Sequence, residues 1–435
     1  MSSVLISPYL DELTANIRAR PIPWEGYQRA SLISEDEVKR IKAIDKQPAL
    51  RKHEIISAES DEYAQLVMNL LSKIKRVDIL QYTLVLAGDF ISEVDAFAQS
   101  LISTTDGDDM PYSSFIKLLK NEDDAIPILA ANVLTYLIAT TETVPASVLK
   151  PFFEWYRSLA STQDQNTDLQ NLSVQALSSI LRSQENRNAF WEEQENMDIL
   201  IKLLKTHGGI QLQYNAMLVI WLLSFDKPRA QELNAKFDII AILSKIAKAS
   251  IKEKVTRIAV ATLRNLAKLA PEKNINQMIQ AELLPFLKVL TARKWQDPDI
   301  KEDLDDLTST LTARKEEMTS FDEYVTEIES GKLSWTPPHR SEEFWQSNAA
   351  SLSKDDSKLV KDLARILSTS SEPIVLAVAC HDIGAFVKHY PDGRNTVQKI
   401  GAKSKVLELM ASGDSELRYE ALQTVQILLS KAWEK

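Results

Sequence analysis

This sequence predicts an all-α fold, a HEAT/armadillo-like α-solenoid in two domains joined by a short hinge, on three observations. Apolar residues recur at helical spacing through most of the 435 residues. Short apolar words repeat about every forty residues. Ten glycines and sixteen prolines are about half the usual share, too few for the tight turns of a sandwich or a propeller.

The helical period is clearest in Val255, Ile258, Ala259, Leu263, Leu266 and Ala267, with Arg257, Arg264 and Lys268 between them. Such a stripe buries one face of a helix. Residues 211–225 are apolar around much of the circumference, from Leu212 through Met217 to Leu223, so that helix is expected to be covered on both sides. Alternating polar and apolar runs are scarce, and no sheet is predicted.

The repeat rests on two registers. Ala176-Leu177-x-x-Ile180-Leu181 aligns with Met217-Leu218-x-x-Trp221-Leu222 and Thr262-Leu263-x-x-Leu266-Ala267, at offsets of 41 and 45 residues. A second word follows each, at Asp198-Ile199-Leu200, Asp238-Ile239-Ile240 and Glu282-Leu283-Leu284, offset by 40 and 44. Cys380-x-x-Ile383 and Leu422-x-x-Val425 lie 42 apart, with residues 405–410 in the second-helix position. Periods of this length belong to HEAT or armadillo units, which bury their apolar faces only by stacking on a neighbour.

Earlier helices are expected at 63–75, 79–91 and 113–120, without a repeat that can be phased before residue 150. Pro21-Ile22-Pro23-Trp24 separates the first helix from the rest, and 106–109 and 162–168 read as loops. The solenoid is expected to be interrupted between 292 and 352, where the chain is highly charged and Pro337-Pro338 stops helical structure. The boundary is placed at Thr312, Ala313, Arg314, Lys315, Glu316 and Glu317, giving a larger domain over 1–314 and a smaller one over 315–435. The aromatic segment after the boundary is expected to cap the smaller domain.

Composition narrows function by exclusion. The net charge of −10 is spread over both parts, so neither offers the positive face that binds nucleic acid or acidic lipid. The lone cysteine, Cys380, has no intramolecular disulfide partner. The longest unbroken apolar run, 216–223, is far shorter than a membrane span. With no basic leader in the first residues, a cytosolic location is the expectation.

The search for chemistry returns no site. No glycine loop resembles a phosphate cradle. His381-Asp382 and His389 are the nearest histidine pair, but positions eight apart on one helix diverge and metal sites need three or four convergent ligands. Cys380 at a repeat anchor reads as a small buried hydrophobe. Asp123-Asp124, Asp305-Asp306 and Asp355-Asp356 suit helix edges and loops. Trp221, Trp335 and Trp345 fit core burial more readily than interface anchoring. No catalytic residue, cofactor or metal is predicted, and a long stacked surface without site chemistry implies a binding protein. An armadillo-type adaptor or cargo-binding solenoid is the alternative, although the asparagine and tryptophan ladders of such proteins are missing.

Several words carry a resemblance. Gly209-Ile210-Gln211-Leu212-Gln213-Tyr214, Ile220-Trp221-Leu222-Leu223, residues 251–257, Ser320-Phe321-Asp322-Glu323-Tyr324 and Leu333-x-Trp335-x-Pro337 resemble the H-subunit of the vacuolar-type proton ATPase. So do His381-Asp382-Ile383-Gly384, His389-Tyr390-Pro391 and Arg418-Tyr419-Glu420-Ala421-Leu422. The resemblance implies a non-catalytic regulatory and stator-bridging component. It would join the E and G subunits of the peripheral stalk to the cytosolic domain of the membrane a-subunit. It would support coupled ATP hydrolysis and proton pumping, and silence the detached cytosolic sector through central rotor or catalytic-sector subunits. It implies a peripheral place on the cytoplasmic face of vacuolar and other endomembranes, and in the cytosol once the sectors separate. An inhibitory loop is carried over onto Ser368, Thr369, Ser370, Ser371, Glu372 and Pro373.

Overall fold

The structure, a computed structural model, describes residues 5–45, 47–103, 111–162, 167–206 and 209–430, without the Glu317 side chain. Among these residues all regular structure is helical. Ten helices precede the readable repeat: α1 (Pro8–Ala19), α2 (Trp24–Arg29), α3 (Glu35–Ile44), α4 (Ala49–Ala58), α5 (Ser60–Lys73), α6 (Val77–Glu93), α7 (Asp95–Ile102), α8 (Tyr112–Leu118), α9 (Ile126–Thr140) and α10 (Ala146–Ala160). Three triplets follow. They are α11 (Thr167–Ile180), α12 (Gln184–Glu192), α13 (Gln194–Lys205); α14 (Ile210–Leu223), α15 (Lys227–Phe237), α16 (Ile239–Ala249); and α17 (Glu253–Leu269), α18 (Pro271–Gln280), α19 (Leu283–Thr291). The chain continues through α20 (Pro298–Glu317), α21 (Ser320–Ser330), α22 (Pro337–Arg340), α23 (Glu342–Leu352), α24 (Lys354–Thr369), α25 (Pro373–His389), α26 (Gly393–Ile400), α27 (Ala402–Leu409) and α28 (Ser415–Leu429).

The two sequence registers fall on α11, α14 and α17, and on α13, α16 and α19. Leu177, Ile180, Met217, Leu222, Leu263 and Leu266 are all buried, as are Leu200, Ile240 and Leu284. The unit is therefore a three-helix armadillo-like repeat, and the chain is an α-solenoid. Expected helices at 63–75, 79–91 and 113–120 correspond to α5, α6 and α8. The expected loop at 106–109, and residues 163–166 of the one at 162–168, lie outside the described residues; Thr167 and Asp168 instead open α11.

By its contacts the chain divides into two compact units, 1–230 with 250–262, and 231–249 with 263–435. In the first, α6, α9, α11 and α14 pack in succession. Aromatic side chains fill that core: Phe97, Phe115, Phe152, Phe153 and Phe190 are fully buried. Arg187 ties one repeat to the next, donating Nε and Nη2 to Asp226 at 2.6 and 3.0 Å and Nη1 to two backbone carbonyls. A bidentate pair with its remaining donors satisfied is the form in which a buried charge is tolerated.

The second unit corrects one expectation. Residues 292–352 do not interrupt the helical stacking, because α20 to α23 fill the interval. In α20 the buried Ile300, Leu304, Leu307 and Leu311 make a four-three-four stripe, and the acids occupy its outer side. Arg264 of α17 gathers three of them, Asp306 at 2.7 Å, Asp303 at 3.1 Å and Glu302 at 3.6 Å. Dense charge hid an ordinary amphipathic helix. The prolines are also corrected: α21 has already ended at left-handed Gly331, and Pro337 opens α22 from N1, where its missing N–H is harmless.

Candidate functional site

Local sequence builds the C-terminal module from α21 onward. Thr319 and Asp322 form a capping box that starts α21, and Ser341 caps α23. Aromatic rings then cluster in the core of this module: Tyr324 lies 5.0 Å from Phe344 and 5.5 Å from Trp345 between centroids. The sequence between α21 and α22 delivers His339 into this cluster with no solvent exposure.

His339 is held by two carboxylates. Its Nδ1 lies 2.8 Å from Asp382 Oδ2 and its Nε2 lies 2.8 Å from Glu327 Oε2. Tyr324 donates its hydroxyl to the same Asp382 oxygen at 3.0 Å, and His381 Nδ1 lies 3.2 Å from Oδ1. Burial by itself pulls the imidazole pKa down, but Asp382 and Glu327 outweigh it and raise the value from 6.5 to about 9. The imidazolium thus stays charged at neutral pH, paired on both ring nitrogens. Sequence reasoning missed this network. Its one visible trace is Asp382, an acid set in the otherwise apolar run of α25.

Glu327 also borders a cleft of about 1050 Å³ in the second unit, between α16, α18 and the α21–α22 segment. Lys332 Nζ meets Asp238 Oδ1 there at 2.7 Å, and Lys245, Lys248 and Lys315 face it with Glu282 and Glu323. Asp238 and Glu282 both have left-handed backbones, with φ of 55° and 54°. They stand at equivalent places before α16 and α19. The cleft mixes charge of both signs.

The hinge candidates are helical. Thr312, Ala313, Arg314, Lys315, Glu316 and Glu317 form the end of α20, Thr312 Oγ1 donating to the Thr308 carbonyl at 2.7 Å. Helical geometry stops at Met318, where ψ becomes 130°. Of the loop candidates, Ser368 and Thr369 close α24 with hydroxyls bonded to Ala364 and Arg365 carbonyls. Ser370, Ser371 and Glu372 are the link, and Pro373 is N1 of α25. The structure does not bring these two groups into one site.

Other residues singled out take structural places. Cys380 is buried, and that burial pushes its thiol up to about 12. His389 pairs with Glu342 at 3.3 Å and shares no ligand geometry with His381; among the described residues no three metal-ligating side chains converge. Asp123 accepts the Ala125 and Ile126 N–H groups, both at 3.0 Å, and starts α9. Asp355 and Asp356 adopt left-handed φ of 51° and 56° with Ser357 at 57°, a conformation Asp tolerates better than most residues. Trp345 is core, whereas Trp335 is half-buried with Nε1 donating to Glu416 at 2.8 Å. Trp221 is also half-buried, edge-on to Phe225.

Among solved structures, an engineered protein of 15% identity overlaps 97% of this chain and 99% of its own with a TM-score of 0.48. A computationally designed armadillo repeat protein is 16% identical over 57% of this chain and 98% of its own, with a TM-score of 0.44. No helix among the described residues is long and apolar enough to cross a membrane. The sequence relatives are closer. The V-type proton ATPase H-subunit of Drosophila melanogaster is 33% identical over 98% of this chain and 91% of its own length. The Dictyostelium discoideum protein of that name is 31% identical over 97% and 94%, and a probable one from Oryza sativa 29% over 95% and 96%. Two family models, both for the V-ATPase H-subunit, match residues 8–311 and 317–433. With one meeting the solenoid and the other the module built on His339, the chain belongs to the V-ATPase H-subunit family of non-catalytic regulatory subunits.

Proposed function

We propose that this protein works as a stator brace and a brake. Residues 1–314 would grip the E and G subunits of the peripheral stalk, and residues 315–435 would dock on the cytosolic domain of the membrane a-subunit. In the joined enzyme that bridge supports ATP hydrolysis coupled to proton pumping. After the sectors part, the smaller domain re-docks on rotor or catalytic-sector subunits and stops hydrolysis. The protein then works at the cytoplasmic face of vacuolar and other endomembranes, or in the cytosol with the detached sector.

The observation that carries this reading is the pair of family models meeting between 311 and 317, where α20 gives way to the capping box of α21. A stacked helical array transmits load through continuous packing, which is what a stator needs under torque. A pivot at Thr312 to Glu317 and Met318 would let the smaller domain move as one body. Exchange from 99% in one dock to 99% in the other needs about 5.5 kcal/mol of differential affinity. The link at Ser368 to Pro373, mostly exposed, is the proposed inhibitory contact.

Deletion of 318–435 tests the reading. The remaining chain is expected to stay with the complex while the detached sector regains ATPase activity. A truncated protein that leaves the sector silent would overturn the brake, and one that no longer assembles would overturn the brace.

A further inference from the structure

Contacts near the proposed pivot and away from it hold the C-terminal module against the solenoid repeats. Near the pivot, α18 packs on α21, and Arg314 at the end of α20 donates Nε to Asn276 of α18 at 3.0 Å. Away from it, just past the end of α21, Lys332 Nζ meets Asp238 Oδ1 at 2.7 Å. The 11 residues of α21 put that ion pair about 16 Å along the helix from the pivot. The cleft of about 1050 Å³ spans the interval, since Met318 and Lys332 both line it, and Lys245, Lys248, Gln277 and Gln280 make its walls polar.

Backbone geometry presents both members of the pair. Gly331 ends α21 in a left-handed conformation with φ of 69°, and the Lys332 N–H donates to Ser330 Oγ at 3.1 Å. Asp238 is left-handed as well, its N–H donating to the Asn234 carbonyl at 2.9 Å. The repeat itself does not call for such a contact: Glu282, at the equivalent place before α19, makes no ion pair among the described residues. Lys332 and Asp238 are 59% and 50% exposed, so their attraction is modest and screened by salt. An exposed ion pair over a polar cleft holds a domain without fixing it.

We propose that Lys332 and Asp238 form an electrostatic latch that keeps the C-terminal module closed over this cleft in the free chain and opens when the module re-docks. The inference rests on the brake reading, in which residues 315–435 move as one body. Turning α21 by about 15° at the pivot carries Lys332 about 4 Å from its partner, so the pair breaks at the onset of a motion that opens the cleft. Because opened chains alone are competent to re-dock, the latch sets the fraction of the protein that is ready to act.

Dyes on Lys273→Cys of α18 and Lys399→Cys of α26, both exposed positions, read closure of the full chain by energy transfer, with buried Cys380 left unlabelled. At low salt, Lys332→Glu and Asp238→Lys are each expected to raise the open fraction about two- to fivefold, and the double exchange to return it to the wild-type value. Salt at about 0.5 M is expected to open the wild type and to leave Lys332→Gln unchanged. Added to purified cytosolic sector depleted of this protein, Lys332→Glu is expected to silence ATP hydrolysis at a concentration about two- to fivefold below that of the wild type. Single variants with the wild-type open fraction, or a double exchange that stays open, would overturn the latch. Failure of the wild-type chain to silence the sector would overturn the brake reading instead, and the dye populations would still decide whether the pair closes the module.

Discussion

His339 holds its proton more tightly in the folded chain than in the unfolded one, and that difference has a sign. An imidazole whose pKa rises from 6.5 to about 9 on folding contributes stability that is complete below about pH 6.5 and is lost as pH climbs through 9. Between pH 7 and pH 10, urea unfolding of the C-terminal module should lose on the order of 3 kcal/mol. His339→Gln should flatten that slope while lowering stability at pH 7, since it leaves Asp382 and Glu327 buried without their cation. A module equally stable at both pH values would show that the imidazole is not charged. Cys380 offers a second check at this scale: its thiol, pushed up to about 12 by burial, should resist a disulfide reagent at pH 8 in the native chain and react at once in denaturant. Burial of Cys380 was legible, because it stands at a repeat anchor. The role of His339 was not, because its partners are 12 and 43 residues away in sequence.

Between elements, small side chains and buried pairs decide how closely helices approach. Gly384 of α25 faces α28, and a Cβ there would meet Thr424 Oγ1 at 2.7 Å. Thr424 is itself fixed by donating to the Cys380 carbonyl at 2.7 Å, so it does not yield. Gly384→Val should therefore part the two helices and destabilise the module by about 1–3 kcal/mol, the usual cost of overpacking, measured by urea unfolding. Thr424→Ala should relieve part of that loss. In the first unit, Asp226→Ala strands the Arg187 guanidinium and should cost about 3–5 kcal/mol, whereas replacing both members with apolar residues should cost far less. Equal losses in the two variants would show that the pair contributes net attraction. Helix existence could be read from periodicity. The closeness of α25 and α28 could not, because a glycine in a helical pattern does not say which neighbour it admits.

At the scale of the molecule, a solenoid is nearly one-dimensional, and each repeat depends on its neighbours rather than on distant parts. The buried core of the last module draws all its members from between Tyr324 and Leu428. Residues 318–435 expressed alone should accordingly fold cooperatively, giving near-UV circular dichroism from the Tyr324, Phe344 and Trp345 cluster and a single unfolding transition. A fragment that binds hydrophobic dye and melts without a transition would show that its core is incomplete.

The amino-acid order by itself determined the all-α class, the period of about forty residues from α11 to α19, and the family, since all three depend on spacings along one chain; that each repeat holds three helices came from the structure. It did not reveal that α20 continues the stacking, because Glu302, Asp303, Asp305 and Asp306 masked its buried stripe. Only the tertiary structure decided that Glu327, His339 and Asp382 form one charged core. It also decided that Leu422 stays exposed where Cys380 is covered. Both outcomes depend on which helix lies against which, and pairing across space leaves no period in a sequence.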